Sequence, residues 1–195
     1  MSRSSDPGES LPANRSLFFQ RWLRNPLQMG SIIPSSPSLC RRIAASVERG
    51  PDQFVVELGA GTGVVSRALL DAGVPANRLI VVEIIPEMAD HLEETLPGVQ
   101  VVTGDAFALP AVLPPDAPGR IGTVICGIPL VLLPLGRQVA FVTAVEAVAP
   151  GRGFLLYTYC ATSPLPYRKL GLTAKRLAFT PLNIPPASVW RYRPG

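Results

Sequence analysis

The sequence is poor in the residues that build disulfide frameworks and metal sites. Its 195 residues include three cysteines, Cys40, Cys126 and Cys160, which lie far apart and form no C-x-x-C pair. His91 is the one histidine in the chain. A disulfide framework, a zinc site and a histidine-based triad are therefore all disfavoured. We expect no bound metal, and we expect His91 to lie on the surface of a helix.

Long apolar runs are also missing. The longest, at 124–135, is interrupted by Gly127, Pro129 and Pro134 and is shorter than the about 20 apolar residues of a membrane-spanning helix. The first residues, 1–14, are polar and contain proline, so they lack the apolar segment of a secretory signal. We predict that they form a disordered leader and that the protein is cytoplasmic.

Charged residues make up only 16% of the chain, and they are distributed unevenly. Residues 1–50 carry seven arginines and three acidic residues, whereas residues 51–116 carry two arginines and ten acidic residues. Residues 117–195 carry nine basic residues and one acidic residue. An acidic centre between basic flanks indicates a cationic ligand in the centre and an anionic partner outside it.

Strand and helix patterns alternate along most of the chain. Apolar runs typical of buried parallel strands predict strands at 54–58, 78–83, 99–103, 123–126 and 153–160. Helices are predicted at 38–47, 64–72, 86–95 and 137–148. The tail is predicted to form an antiparallel β-hairpin with arms at 177–180 and 188–193. Such alternation is typical of an α/β domain with a mostly parallel sheet. We expect seven strands with helices on both faces, in a domain that covers 37–195.

A glycine-rich turn follows the first predicted strand. The stretch from Glu57 to Gly63 has the spacing E-x-G-x-G-x-G, whereas a dinucleotide fingerprint requires glycine at Val64 and a phosphate loop requires G-K-[ST]. Glu83 ends the second strand, where an acid can bind both hydroxyls of a ribose. Asp105 follows the third strand and is placed for an adenine amine. The alternative for the glycines is an ordinary tight turn.

Together these elements resemble the class I S-adenosylmethionine-dependent methyltransferases, over about residues 53–130. The resemblance implies a Rossmann-like fold and S-adenosylmethionine as the cofactor, which leaves as S-adenosylhomocysteine. It implies that Glu57 and the turn hold the methionine end, Glu83 the ribose, and Asp105 the adenine. The cofactor set that it implies is Glu57, Gly59, Ala60, Gly61, Thr62, Gly63, Glu83, Ile84, Asp105, Ala106 and Cys126, to which a second resemblance, given below, adds Ser35 and Ser36. The acidic centre matches the sulfonium and ammonium groups of this cofactor.

The end of the fourth predicted strand bears on the methyl acceptor. It reads Cys126-Gly127-Ile128-Pro129-Leu130, where nucleic-acid adenine methyltransferases carry Asn/Asp-x-Pro-aromatic. In that motif a side-chain carbonyl accepts from the target amine and the ring stacks on the flipped base. Gly127 and Leu130 supply neither group, so a nucleobase acceptor is disfavoured. We assign Cys126, Gly127 and Pro129 to the positioning of the acceptor.

A segment near the N-terminus is predicted to form a short amphipathic helix. Its apolar face carries Phe18, Phe19 and Trp22, and its opposite face carries Arg21 and Arg24. A helix that is aromatic on one side and basic on the other can lie in the interface of an anionic membrane. The alternative is a lid packed on the domain, and both interpretations hold if the helix covers the site and touches lipid.

Four stretches resemble the bacterial phospholipid N-methyltransferases: FFQRWLRNPLQMGSIIPSS, which ends at Ser36, then 56–63, 127–130 and 183–190. These enzymes methylate phosphatidylethanolamine toward phosphatidylcholine. The resemblance implies a membrane-binding or lid helix and turn at 15–36, with a cofactor contact near Ser35. It also implies phosphatidylethanolamine as substrate, and peripheral binding to the anionic inner face of the cytoplasmic membrane.

Three tyrosines are candidate substrate contacts. Tyr157 and Tyr159 lie at the end of the fifth predicted strand, and Tyr167 follows. A tyrosine hydroxyl can bind a lipid phosphate, and its ring can face a methylated ammonium. Each can equally be an ordinary strand residue. The competing functions are an RNA adenine or small-molecule amine methyltransferase and a non-catalytic membrane-binding protein.

Overall fold

The computed structural model describes residues 36–159, 162–181, 183 and 185–195. The predictions for the leader, the amphipathic helix and Ser35 concern residues 1–35, which lie outside the described residues. No helix within the described ranges is long and apolar enough to cross a membrane.

The described residues form strands, helices and short 3-10 segments. The strands are β1 (Phe54–Leu58), β2 (Leu79–Glu83), β3 (Gln100–Thr103), β4 (Ile121–Cys126), β5 (Phe154–Thr158), β6 (Leu172–Thr180) and β7 (Ala187–Pro194). The helices are α1 (Pro37–Ala45), α2 (Val64–Asp71), α3 (Pro86–Thr95), α4 (Leu109–Val112) and α5 (Leu135–Val148). The 3-10 segments are Ala76–Arg78, Leu130–Leu132 and Tyr167–Leu170.

The strands make one seven-stranded sheet in the order β3-β2-β1-β4-β5-β7-β6. Strands β1 to β5 pair in parallel, and β7 runs antiparallel to both of its neighbours, β5 and β6. This arrangement confirms the expected Rossmann-like fold with its C-terminal hairpin. The strand order reverses between β1 and β4, where Leu58 lies opposite Cys126. In open α/β sheets, ligands bind at the carboxyl ends of the strands at this point.

Helices cover both faces of the sheet. Leu155 belongs to a core cluster with Leu39 and Ile43 of α1 and Leu69 of α2. The ring of its neighbour Phe154 lies 5.2 Å from the ring of Phe141 in α5. Because successive strand residues point to opposite faces, α1 and α2 lie on one face and α5 on the other. Full burial of a side chain such as Phe141 stabilises the fold by about 1.5–3 kcal/mol.

Local signals explain where two of these helices begin. The Ser36 side chain accepts a hydrogen bond from the Leu39 N–H at 3.2 Å, which caps α1, and Pro37 takes the first helical position. Pro86 occupies the same position in α3. Proline suits this position because its missing N–H has no partner in the first turn anyway.

Several strand boundaries differ from the prediction, most of them by one or two residues, and the helix Leu109–Val112 was not predicted. The strand predicted to reach residue 160 ends at Thr158, and the hairpin arm predicted from 177 begins at Leu172. The stretch from Leu172 to Arg176 has polar and charged residues among its apolar ones, so it shows no run typical of a strand. It is extended because it pairs with β7, where Leu172 lies opposite Pro194.

Candidate cofactor and acceptor site

The glycine turn lies between β1 and α2 at the carboxyl edge of the sheet. Gly59, Gly61 and Gly63 have φ angles of 72°, 57° and 74°, a left-handed conformation that glycine adopts without strain. The Gly59 N–H donates to the Val82 carbonyl at 2.8 Å, which ties the turn to β2. This segment of backbone is therefore held against the neighbouring strand.

The second and third glycines have different surroundings. A Cβ on Gly63 would come within 2.7 Å of Leu92 Cδ2 in α3, whereas a Cβ on Gly61 would meet nothing closer than 3.9 Å, at Met88. Gly63 therefore allows the turn to approach Leu92 of α3, while a methyl group on Gly61 would make only an ordinary contact with Met88. Between them Thr62 is exposed, and its carbonyl accepts a hydrogen bond from the Arg67 guanidinium.

Glu57 places a buried carboxylate at the end of β1. It is fully buried, and its Oε2 accepts a hydrogen bond from the Ser66 hydroxyl at 2.6 Å. No hydrogen-bond partner for its Oε1 occurs among the described residues. Burial raises the pKa of Glu57 to about 7, the Ser66 hydrogen bond opposes that rise, and nearby Glu83 adds to it. The sequence analysis missed Ser66, although a serine between Val65 and Leu69 on the buried face of α2 was a usable signal.

Glu83 joins the end of β2 to the glycine turn. Its Oε2 accepts from the Gly61 N–H at 3.1 Å, and its Oε1 accepts from the N–H groups of Ile84 at 2.9 Å and Ile85 at 3.2 Å. A carboxylate has about four acceptor positions, so one position remains for a hydroxyl group of a ligand. Glu83 is thus both an anchor of the turn and a candidate ribose ligand.

Asp105 and Ala106 follow β3 at the same edge. The Asp105 Oδ1 accepts from the Phe107 N–H at 2.9 Å, and the Gly104 N–H donates to the Glu83 carbonyl at 2.9 Å. The first bond orders the turn after β3, and the second holds the ends of β3 and β2 together. Ala106 is buried, whereas Ile84 is 39% exposed and can pack against a planar ligand.

The acceptor segment, residues 127–130, follows Cys126, which is the last residue of β4. The Cys126 side chain is fully buried, its thiol donates to the Ile128 carbonyl at 3.5 Å, and burial raises its pKa to about 12. The thiol is therefore protonated at neutral pH and is held against the backbone of Ile128. The Gly127 N–H donates to the Leu58 carbonyl at 2.8 Å, which joins this segment to β1. Pro129 is half-buried beside it.

The three candidate tyrosines have different positions. Tyr157, in β5, is half-buried, and its hydroxyl lies 2.8 Å from the point that a Cβ on Gly127 would occupy. Tyr159 packs against the same core cluster as Tyr157. Tyr167 lies in a 3-10 segment after β5, where the Arg168 guanidinium is 5.9 Å from its ring centre. Tyr157 is therefore the one that the structure brings to the acceptor segment.

A group of exposed apolar side chains surrounds this edge, and we call it the apolar rim. It comprises the six large hydrophobic residues that are exposed in the described part of the chain, Ile84, Val131, Leu132, Leu135, Val139 and Phe179. The first follows β2, the next two follow β4, and two lie in the first turns of α5. The last lies on β6, level with Thr158 at the carboxyl end of β5. The sequence analysis missed the rim because only the sheet brings these residues to one edge.

The site fits the cofactor that the resemblance implies. The Oε1 of Glu57, which has no partner within the described part of the chain, is a buried acceptor suited to an ammonium group, and no side chain crowds the backbone at Gly61. Glu83 and Asp105 lie on the neighbouring strands in the order that the resemblance requires. In the described ranges, no group of three or more histidine, cysteine or acidic residues could hold a metal ion.

Comparisons with known proteins agree with this geometry. Residues 55–151 match the family described as "Methyltransferase domain". The chain is 28% identical to an ornithine lipid N-methyltransferase of Singulisphaera acidiphila, in an alignment that covers 89% of this chain and 93% of that protein. It is 35% identical to ribosomal RNA small subunit methyltransferase A of Gluconobacter oxydans, but over 57% of this chain and only 38% of that protein.

A solved structure shows the fold independently. The 1,6-didemethyltoxoflavin-N1-methyltransferase of Burkholderia thailandensis, crystallised with S-adenosylhomocysteine, is similar with a TM-score of 0.64 at 14% identity. The similarity covers 98% of this chain and 94% of that one. At this identity the likeness concerns the arrangement of strands and helices.

Proposed function

The chain is an S-adenosylmethionine-dependent methyltransferase with the class I fold, and on that basis we propose that its acceptor is the primary amine of a membrane lipid head group. Phosphatidylethanolamine, methylated toward phosphatidylcholine, is the acceptor that we favour. The similarity to an ornithine lipid N-methyltransferase over nearly the whole of that protein supports a lipid amine.

The apolar rim is the observation that carries this proposal. All six exposed large hydrophobic residues of the described chain lie at the edge where the cofactor cleft opens. Leu132 is 47% and Leu135 is 44% exposed, and both follow the acceptor segment closely. Apolar side chains around a cleft suit a substrate whose acyl chains stay in a membrane while its head group enters the site.

Arginines beside the rim complement an anionic surface. The Arg137 guanidinium lies 3.7 Å from the ring centre of Phe107, one helical turn or less from the rim residues of α5. The Arg176 guanidinium lies 5.4 Å from the ring centre of Phe179. Cationic groups next to apolar ones attract a membrane that contains anionic lipids, by about 1 kcal/mol for each charge near the surface.

Methyl transfer to an amine mainly requires the protein to position the amine and the cofactor relative to each other. S-adenosylmethionine supplies an activated methyl group on its sulfonium, and an amine needs to lie in line with that group with its lone pair free. In our proposal Glu57 binds the ammonium of the cofactor, Glu83 the ribose and Asp105 the adenine amine, while the backbone of Gly127 borders the acceptor. Such alignment can supply roughly 7–11 kcal/mol of the barrier.

The N-terminal segment supports the same proposal through its sequence pattern alone. The predicted helix, with Phe18, Phe19 and Trp22 on one side and Arg21 and Arg24 on the other, falls on residues outside the described ranges. An aromatic and basic helix of this kind can bind the interface of an anionic membrane. We propose peripheral binding at the inner face of the cytoplasmic membrane.

The proposal is tested by incubation of the protein with S-adenosylmethionine that carries a labelled methyl group. The arms are vesicles of phosphatidylethanolamine with phosphatidylglycerol, vesicles with ornithine lipid, soluble ethanolamine, and a ribosomal RNA transcript. We expect label in phosphatidylethanolamine and its methylated products, separated by chromatography. Label in ornithine lipid alone would keep the lipid amine and change the head group, whereas label in ethanolamine or RNA alone would overturn the proposal.

Variants separate membrane contact from cofactor binding. The double variant Leu132→Ser and Leu135→Ser should lose most vesicle binding and lipid methylation while its affinity for S-adenosylhomocysteine stays unchanged. A variant with serine at Phe18, Phe19 and Trp22 should behave similarly. The matched control is Ala147→Ser, an exposed position at the other end of α5, which should bind vesicles normally. Normal vesicle binding by both apolar variants would refute the membrane contact.

A further inference from the structure

Gly127 occupies a position in which no side chain fits. A Cβ added there would come within 2.6 Å of the Gly59 carbonyl oxygen, 2.8 Å of the Tyr157 hydroxyl and 3.1 Å of the Leu58 carbonyl oxygen. Real Cβ atoms almost never come so close to two oxygens at once. These oxygens therefore leave room for a glycine at position 127 but not for a larger residue.

The surrounding oxygens have different freedom to bind a ligand. The Leu58 carbonyl already accepts from the Gly127 N–H. The Gly59 carbonyl and the Tyr157 hydroxyl reach the same point from β1 and β5, on the two sides of β4. A group that approaches Gly127 from the cleft therefore has an oxygen on either side.

We propose that the Tyr157 hydroxyl and the Gly59 carbonyl form the subsite for the acceptor amine. A neutral primary amine has two N–H groups, which can donate to the two oxygens. Its lone pair then points away from both, toward the methyl group to be transferred. The proposal rests on the proposed function in taking a primary amine as the acceptor.

The environment of Tyr157 suits this role. Its ring packs against the core cluster, and Thr158 beside it continues the pairing of β5 with β7, so the hydroxyl is held in place. Burial and then the nearby Glu57 carboxylate raise the pKa of Tyr157 well above its ordinary value. The hydroxyl therefore stays neutral and can accept a hydrogen bond at physiological pH.

The same geometry explains the choice against a nucleobase. An asparagine or aspartate at position 127 would need the space that the Tyr157 hydroxyl and the Gly59 carbonyl occupy. Tyr157 thus places an oxygen near the point where such a side chain would begin.

A binding experiment tests the subsite without methyl transfer. O-phosphoethanolamine carries the head-group amine without acyl chains, so in the complex with S-adenosylhomocysteine its amine should meet both oxygens. We expect this complex of the wild-type protein to bind O-phosphoethanolamine more tightly than phosphocholine, whose nitrogen has no N–H group, and Tyr157→Phe to lose roughly tenfold of that preference. The affinity for S-adenosylhomocysteine should stay unchanged. The control Tyr192→Phe, whose hydroxyl pairs with Ser163 at 2.8 Å, should keep the preference.

A kinetic experiment adds a readout that loss of packing would not produce. Phosphatidylethanolamine offers two N–H groups, whereas its dimethylated form in the neutral state offers none. Tyr157→Phe should therefore slow methylation of the first lipid roughly tenfold and change the rate with the second far less. An equal effect on both lipids would overturn the proposal, as would an unchanged preference for O-phosphoethanolamine.

The outcomes also separate this inference from the proposed function. If wild-type protein methylates no lipid but Tyr157→Phe still loses the preference for O-phosphoethanolamine, the subsite stands and the lipid acceptor is wrong. If wild-type protein methylates lipids and Tyr157→Phe behaves like wild type in both experiments, the lipid acceptor stands and the subsite is wrong. The melting temperature of Tyr157→Phe confirms that it folds, since the variant keeps the ring.

Discussion

Glu57 should make cofactor binding depend on pH. Burial raises its pKa to about 7, and an ammonium group pairs with the ionised carboxylate only. With that pKa about nine tenths of Glu57 is protonated at pH 6 and about a quarter at pH 7.5. The dissociation constant of S-adenosylhomocysteine should therefore be about eightfold weaker at pH 6 than at pH 7.5. The comparison of dissociation constants ends at pH 7.5. At higher pH the ammonium group of the ligand begins to lose its own proton, since α-amino groups titrate at about pH 7.7–8.0.

Isothermal titration calorimetry measures both the affinity at each pH and the number of protons released on binding. Titrations in buffers of different ionisation enthalpy give the number of protons released on binding. We expect about 0.9 proton released at pH 6 and about 0.25 at pH 7.5, since binding requires Glu57 to ionise. The variant Glu57→Gln can keep a hydrogen bond with Ser66 but has no charge, so its binding should be weak and flat over this range.

Ionisation of Glu57 also affects the stability of the protein without ligand. It strengthens cofactor binding but lowers the free energy of unfolding. The folded-state pKa of Glu57 is raised from 4.5 to about 7, so folding favours the protonated form. This contribution to the free energy of unfolding is fully present below about pH 4.5 and is lost as the pH rises through 7, by about 3 kcal/mol in total. An affinity that is constant from pH 6 to 7.5, with no proton release, would refute the assignment of Glu57 to the ammonium. The same pH dependence in Glu57→Gln would refute it equally.

Two further predictions concern the turn. Glu83→Ala removes the acceptor of the Gly61 and Ile84 N–H groups, so it should weaken S-adenosylhomocysteine binding severalfold by calorimetry, and an unchanged dissociation constant would contradict the ribose assignment. Gly63→Ala forces a Cβ against Leu92 at a φ of 74°, so it should lower the free energy of unfolding by about 1–3 kcal/mol in urea. Because the added Cβ faces α3, the affinity for the cofactor should hardly change in Gly63→Ala. In Gly61→Ala the affinity for the cofactor should fall. Equal losses of affinity in both variants would show that the two glycines do not differ in role.

The fold was largely predictable because its signals are local. The buried run Phe54–Leu58 is a strand with the predicted bounds, and Pro86 begins a helix that ends at Thr95 as predicted. Strand β6 was predicted too short, since its first half becomes extended only through pairing with β7. A polar edge strand of this kind carries no apolar pattern that a sequence can reveal.

The candidate cofactor site was predictable in its residues but not in its contacts. The sequence by itself determined that Glu57, Glu83 and Asp105 end successive parallel strands, because each follows or closes an apolar run. Only the tertiary structure decided that Oε1 of Glu57 lacks a partner among the described residues and that Glu83 anchors the turn.

The acceptor side depended on tertiary structure even more. The sequence determined that position 127 carries no side chain, but the reason lies in Tyr157, thirty residues later along the chain. The apolar rim likewise combines residues from Ile84 to Phe179 that share no sequence pattern. Parallel strands bring their carboxyl ends to one edge. Residues that are distant in the sequence therefore come together at this edge. Local sequence patterns predict the strands but not these contacts.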